Sequence, residues 1–362
     1  MFIDKIVNAP NKILLDVEYL KNSDLPLVLY GAGICAKRLY NLLLKKSDVK
    51  IKHVAIDEDY FLPKVYFDIY PVERINDVIN RYPEINVIVA MDNYQNKITK
   101  ISQNQNILRY IIFDLASVEF EFADYYNVVK EHSVELEKFY SKLADEHSRN
   151  VMIAYINAKI SGNPEALVNL NVDGEQMYYP EFLHLSDNEV FVDCGAFDGD
   201  SVISFIKKTE GKYSKIYAFE PDKHNIEKLK KNTSQFNNIE IIEKGCFSGK
   251  ATMYFQDGQE LSSSVSNQGN VSINVDAVDN IISGKVTFIK MDIEGSELEA
   301  LKGAQNIIRS NHPSLAISLY HRSDDLFYIP QYIYELSNTY KFFLRHYGGF
   351  SYELILYAIP DK

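Results

Sequence analysis

Two stretches of the chain share one hydrophobic rhythm. "LVLYGAGICAKRLYNLLLKK" and "VFVDCGAFDGDSVISFIKK" each pass from an apolar run through a glycine turn into apolar residues at helical spacing. An apolar strand, a glycine turn and an amphipathic helix open a parallel α/β unit. Around the first, "IKHVAIDED", "INVIVAMD" and "RYIIFD" supply further strands, so residues 1–115 are expected to form a small Rossmann-like α/β domain. Around the second, "KIYAFEPD", "IEIIEKGCFS", "VTFIKMDIEG" and "PSLAISLYH" alternate with helices such as "KHNIEKLKKN" and "SELEALKGAQNIIRS". The closing "KFFLRHYGGFSYELILYAIP" places two apolar runs round Gly-Gly. That predicts a terminal antiparallel hairpin on a mostly parallel sheet, over residues 188–362. Residues 116–187 have helical periodicity broken near Gly162 to Pro164, and are expected to be a helical connector. The connector is expected to dock on the second domain and lend "EQMYYPEFLHL" to its pocket, with the irregular "SSSVSNQG" insertion shaping another wall.

Composition narrows the functions. A length of 362 residues exceeds one ordinary core, in keeping with two domains. Against 50 acidic side chains stand 38 basic ones, a net charge of -12 that argues against nucleic acid or an anionic membrane as partner. No apolar run approaches the roughly 18 residues that cross a bilayer, and the N-terminus lacks a signal-peptide pattern. Cys35, Cys194 and Cys246 suit neither a disulfide framework nor a metal site, so a reduced cytoplasmic setting is expected. No metal ligand is assigned, and a divalent cation on Asp292, Glu294 and a nearby acid stays open because the spacing is not diagnostic. Homo-oligomerisation stays open.

The two glycine turns differ in charge. The first, with Gly31 and Gly33, contains no acid and is followed by Lys37 and Arg38. Asp57 ends the next strand, where a dinucleotide fold places its ribose acid. Such a turn admits a nucleotide or merely packs a helix on a sheet, and both readings stand. The second turn carries Asp193, Asp198 and Asp200, which would repel a pyrophosphate. S-adenosyl-L-methionine has no phosphate but does have an ammonium, a carboxylate and a ribose diol. For that cofactor Asp193 is expected to accept from the ammonium, and Glu220 from both ribose hydroxyls. Lys244 to Phe247 should flank the adenine, with Cys246 and Phe247 as apolar contacts.

Methyl transfer to a hydroxyl asks for alignment and a proton acceptor. The strand ends "MDIEG" and "LYHRSDD" lie where open α/β sheets bind ligands. His321 is the leading base, because imidazole titrates near neutral pH; Asp292 or Glu294 orients the substrate, holds the ammonium or caps the next helix. Tyr178, Tyr179, Tyr320 and Tyr328 are candidates for stacking on a sugar or for the core. Of Arg345 and His346 only one can face a pocket, and Glu297 and Lys302 read as a solvated helix face.

"FVDCGAFDGD", "IYAFEPD", "FIKMDIEGSELEALKGA" and "LAISLYH" resemble the FkbM-type S-adenosylmethionine-dependent methyltransferases, over roughly residues 140–362. "IKMDIEGSELEALKGA" is the most specific of these stretches. The resemblance implies methylation of a small-molecule hydroxyl acceptor, commonly a sugar, glycan precursor or polyketide. With the turn chemistry above, the expected cofactor pocket draws on Asp193, Gly195, Ala196, Asp198, Gly199, Glu220, Pro221, Cys246, Phe247 and Asp292, with His321 and Asp292 as catalytic candidates. Many family members carry Asn where this turn has Phe197.

Overall fold

The computed structural model describes residues 2–91, 94–116, 125–255 and 271–361. The "SSSVSNQG" insertion lies outside the described residues. Two compact units divide the chain: residues 1–133, 150–171 and 348–352 form one, and 134–149, 172–347 and 353–362 the other. Helices occupy the described part of the expected connector, at Tyr125–Glu131, Ser133–Lys142, Glu146–Ser161 and Glu165–Val168, and its residues are shared between the units.

The first unit is built on six strands: β1 (Leu27–Tyr30), β2 (His53–Ile56), β3 (Tyr66–Phe67), β4 (Tyr70–Arg74), β5 (Ile85–Val89) and β6 (Ile107–Ile111). They lie in the order β3-β4-β2-β1-β5-β6, parallel except for β3 against β4. The central β1 and β5 are buried along their whole length, as their unbroken apolar runs require of strands covered on both faces. The expected small Rossmann-like domain is therefore present. Within the same unit Phe350 packs on Tyr94, and Asp114 accepts from the Ser351 amide at 2.9 Å and hydroxyl at 2.6 Å.

The second unit carries β7 (Val190–Cys194), β8 (Lys215–Phe219), β9 (Ile239–Ile242), β10 (Gly245–Cys246), β11 (Ala251–Phe255), β12 (Val271–Asp276), β13 (Phe288–Met291), β14 (Ser314–Ser318), β15 (Tyr340–His346) and β16 (Leu354–Pro360). Seven of them form one sheet in the order β15-β16-β14-β13-β7-β8-β9, with β16 alone running against its neighbours. The predicted hairpin and single reversed strand are thus observed. One expectation needs correcting: "IEIIEKGCFS" is not one strand. The chain bends tightly after β9, where the Lys244 amide donates to the Ile242 carbonyl at 2.8 Å, and β10 joins β12 and β11 in a separate three-stranded sheet. Strand order reverses direction between β13 and β7, and the crevice beyond the carboxyl ends of such neighbours is where open sheets bind ligands.

Both glycine turns are shaped by the strand next door. A Cβ on Gly31 (φ +128°) would lie 2.4 Å from the Ala90 carbonyl oxygen after β5. A Cβ on Gly195 (φ +88°) would lie 2.1 Å from the Asp292 carbonyl oxygen after β13. Gly33, by contrast, has negative φ and open space where a Cβ would go. Gly195→Ala and Gly31→Ala should each destabilise the fold by about 2–3 kcal/mol, combining φ strain with a backbone collision, while Gly33→Ala should be nearly neutral. Urea unfolding midpoints of the three variants check this; equal midpoints would refute it.

Candidate active site

The carboxyl ends of β7, β8, β13 and β14 bring the acidic turn together with the two strand-end motifs. Successive strand side chains alternate between faces, so Phe191 and Asp193 point the same way, as do Phe288 and Lys290. Phe191 stacks on Phe288 at 5.1 Å and on Phe205 at 4.5 Å between ring centroids, and Tyr179 closes that aromatic layer. Directly above it Asp193 meets Lys290, its register partner across β7 and β13. The Asp193 carboxylate has no exposure. Its Oδ1 lies 3.1 Å from Lys290 Nζ, and its Oδ2 accepts from Ser201 Oγ at 2.5 Å.

Lys290 also donates to the Gly195 carbonyl at 2.7 Å and stands over the Tyr178 ring. Burial works against its ammonium, but Asp193 and Asp292 more than offset that and raise its pKa. Burial likewise pushes the Asp193 carboxyl up, opposed by Lys290 and Ser201. The cation that answers the carboxylate beside the first glycine is therefore part of the protein. Asp193 anchors the turn from beneath, and neither of its oxygens faces solvent.

Above the pair the turn runs through Ala196, fully buried, and Phe197, half exposed with φ +46°. Glu220, just past β8, accepts from the Phe197 amide at 2.9 Å through Oε2 and from the Asp222 amide at 2.9 Å through Oε1. Burial raises its pKa against those amide contacts. Asn225 Nδ2 also reaches Oε1, at 3.5 Å, so three of the carboxylate's four acceptor positions are engaged and the spare one lies on Oε2. Gly199 takes φ +94° and packs against Leu229 and Thr233. Asp200 caps its own helix through the Ser201 amide, and the Asp198 carbonyl accepts from Asn232. Pro221 is partly exposed, Phe247 half-buried and Cys246 buried beside Cys194.

A second cluster forms at β13 and β14. Asp292 accepts from the Tyr178 hydroxyl at 2.6 Å and the Tyr320 hydroxyl at 3.1 Å. Burial opposes its charge, yet Lys290 and His321 hold its pKa below the ordinary carboxylate value. The His321 ring is almost wholly enclosed. Its Nδ1 lies 2.8 Å from Glu297 Oε1, and its Nε2 lies 3.4 Å from Asp292 Oδ1 and 3.6 Å from Glu294 Oε2. Burial disfavours the imidazolium, but Glu297 and then Asp292 and Glu294 outweigh it and carry its pKa to about 10.

A ring that holds its proton at neutral pH is not poised to take another, so the structure places His321 as the cation of an acid cluster. Asp292, Glu297 and His321 bring potential metal-ligand atoms within 4.8 Å of one another. Glu297 was expected on a solvated face. It is instead fully buried, accepting from His321 and from the Ile293 amide at 2.8 Å, because its helix is turned inward at its first residue. Burial and the Glu297 charge push the carboxyl of neighbouring Asp325 up to about 8. Tyr178 and Tyr320 point their hydroxyls at Asp292, Tyr179 belongs to the core, and Tyr328 is partly exposed. Arg345 is bound to Asp145 at 2.6 Å and His346 is buried. Sequence reasoning missed Lys290 and Glu297. For Lys290 the signal was a lone lysine inside an apolar strand.

With this geometry in view, residues 193–347 match the model of the methyltransferase FkbM domain. The chain carries an FkbM methyltransferase domain. It is similar along nearly its whole length to the crystal structure of methyltransferase FkbM from Methylobacillus flagellatus KT, at 25% identity over 96% of this chain and 94% of that one, with a TM-score of 0.78. An rRNA methylase from Streptococcus thermophilus aligns over 49% of this chain and 90% of its own, at 15% identity and a TM-score of 0.33. No protein of curated function matches the sequence. The protein is thus a methyltransferase, and among the described residues no helix is long and apolar enough to cross a membrane.

Two outcomes follow for this FkbM domain. Lys290→Met strands a buried carboxylate and should cost about 3–5 kcal/mol, of which Asp193→Asn added to it should restore a large part; calorimetric unfolding of single and double variants checks the coupling. His321 has a folded pKa above its ordinary 6.5, so its ion pairs stabilise the fold fully below that pH and are lost as pH rises through about 10. The stability gap between wild type and His321→Gln should accordingly shrink between pH 6.5 and 10, and a gap that grows over this range would contradict the assignment.

Proposed function

We propose that the protein transfers a methyl group from S-adenosyl-L-methionine to a hydroxyl of a small molecule, a sugar or glycan precursor, at the carboxyl ends of β7, β8 and β13. The observation that carries this reading is Glu220: a buried acid at a strand tip, held by two backbone amides, with acceptor capacity left for a ribose diol. The residues fit the cofactor in other respects. The turn's sequence carries the carboxylates of Asp198 and Asp200, whose charge disfavours a pyrophosphate and tolerates a zwitterion. The buried Asp193–Lys290 pair fixes the turn's backbone, so the site needs little reorganisation on binding. When bound, the cofactor supplies a sulfonium-activated methyl.

This chain's own residues then position the acceptor. Asp292, kept ionised by Lys290 and His321, lies partly open and already receives two tyrosine hydroxyls. It is the proposed acceptor of the substrate hydroxyl's hydrogen bond and, as the new C–O bond forms, of its proton. His321 orients Asp292 from behind and is a positioning residue, with its own orientation set by Glu297. A carboxylate has about four acceptor positions, so a substrate hydroxyl can donate to Asp292 beside the two tyrosine hydroxyls, which suits a polyol such as a sugar.

Titration calorimetry with S-adenosyl-L-methionine tests the cofactor arm, and Glu220→Ala should weaken binding by about tenfold or more. Asp292→Asn should lower turnover roughly a hundredfold while cofactor affinity changes little. Absence of binding at high micromolar cofactor, or a fully active Asp292→Asn enzyme, would remove the corresponding part of the proposal.

A further inference from the structure

The first unit repeats, on a strand order of its own, the glycine turn and strand-tip acid proposed above to meet a ribose in the second. We infer that its glycine turn holds a ribonucleotide, with Asp57 on the ribose diol. A cavity of about 370 Å³ opens at the carboxyl ends of β1, β2 and β5, the point at which that sheet's strand order reverses. Its volume sits at the lower end of small-molecule sites, enough for one nucleotide and small for a dinucleotide.

The two units correspond at the glycine and at the strand-tip acid, with a shift of one residue: Asp57 lies two positions past the carbonyl bound by Gly31, and Glu220 one past that bound by Gly195. Gly31 and Gly195 both follow the central strand with positive φ and both abut the carbonyl of the residue after a neighbouring strand. The Gly31 amide donates to the Ala55 carbonyl of β2 at 2.9 Å, and the Gly195 amide to the Phe219 carbonyl of β8 at 3.1 Å. Asp57 and Glu220 each come next after the strand beside that glycine. Both are held on two sides while keeping lone pairs: Asp57 Oδ1 accepts from the Tyr30 hydroxyl at 2.6 Å, and Oδ2 lies 2.8 Å from Lys97 Nζ. Burial opposes the Asp57 charge, but Lys97 and Tyr30 prevail and keep it ionised.

The differences between the units set the ligand. The first turn contains no carboxylate, Gly33 leaves open space for close approach, and Lys97 lines the cavity. A phosphate is therefore acceptable where the second turn would repel one. Ile34 and Tyr60, each 73% exposed, stand on the rim as apolar surface for a base. This inference is independent of methyl transfer in the second unit.

The test is calorimetric titration of the full chain with UDP and with ADP, and with their 2′-deoxy counterparts. At least one ribonucleotide should bind. Its 2′-deoxy form should bind about tenfold more weakly or worse, as should the ribonucleotide to Asp57→Asn. Glu220→Gln should leave nucleotide affinity unchanged, which separates this site from the one in the second unit. The proposal is overturned if neither nucleotide binds at millimolar concentration, if ribo and deoxy forms bind equally, or if Glu220→Gln rather than Asp57→Asn abolishes binding. Should Asp57→Asn fail to fold, the deoxy comparison on the wild-type chain decides.

Discussion

The Asp193–Lys290 pair is the constraint around which the methyltransferase site is arranged. Two opposite charges face each other across the central strands, with an aromatic layer below and the glycine turn above. Removing both from water carries a desolvation cost that only close pairing and added hydrogen bonds can offset. Ser201 supplies one such bond and the Gly195 carbonyl another. The second of these fixes the turn, whose Phe197 amide is in turn fixed by Glu220. A chain of contacts thus runs from the sheet interior to the carboxylate proposed to meet the ribose. Lys290 also sits close enough to Asp292 to favour its ionised form, so one ammonium serves both halves of the site.

Glycine turns at the head of parallel strands are commonly read as places where a ligand approaches. In both units here the first glycine answers an internal demand, because a neighbouring carbonyl occupies the volume of its missing Cβ. The ligand chemistry is carried instead by the acid at the tip of the adjacent strand and by what the rest of the turn tolerates. Phe197 shows the same logic. Its φ of +46° lies in the left-handed region that Asn enters more easily than Phe. The Glu220 acceptance of its amide offsets that strain.

Much of the architecture was legible in the chain. Strand–helix alternation and the Gly-Gly hairpin account for two α/β units and the single reversed strand β16, because these follow from local periodicity and connection length. The position of Glu220 just past the end of β8 was legible too, from its distance beyond the glycine turn. The role of Asp193 was half legible: alternation puts it on the side of Phe191, under the turn, but only the register of β13 against β7 reveals Lys290 as its partner. His321 looked like a base because an isolated imidazole titrates near neutrality. Its three carboxylate neighbours come together only once the chain past β13 folds back beside the end of β14, and that long-range contact moves its pKa to about 10. Glu297 was misplaced for the same reason, since an acid in the first turn of a helix is ordinarily solvated. The excursion of β10 into a second sheet depends on a tight bend after β9 that carries neither glycine nor proline to announce it.

A crystal structure of the protein with S-adenosylhomocysteine bound would test the central claim most directly. The expected density has the ribose hydroxyls on Glu220, with Lys290 still between Asp193 and the Gly195 carbonyl. A nucleoside bound away from Glu220, or a Lys290 withdrawn so that Asp193 itself grips the amino-acid end of the ligand, would contradict it.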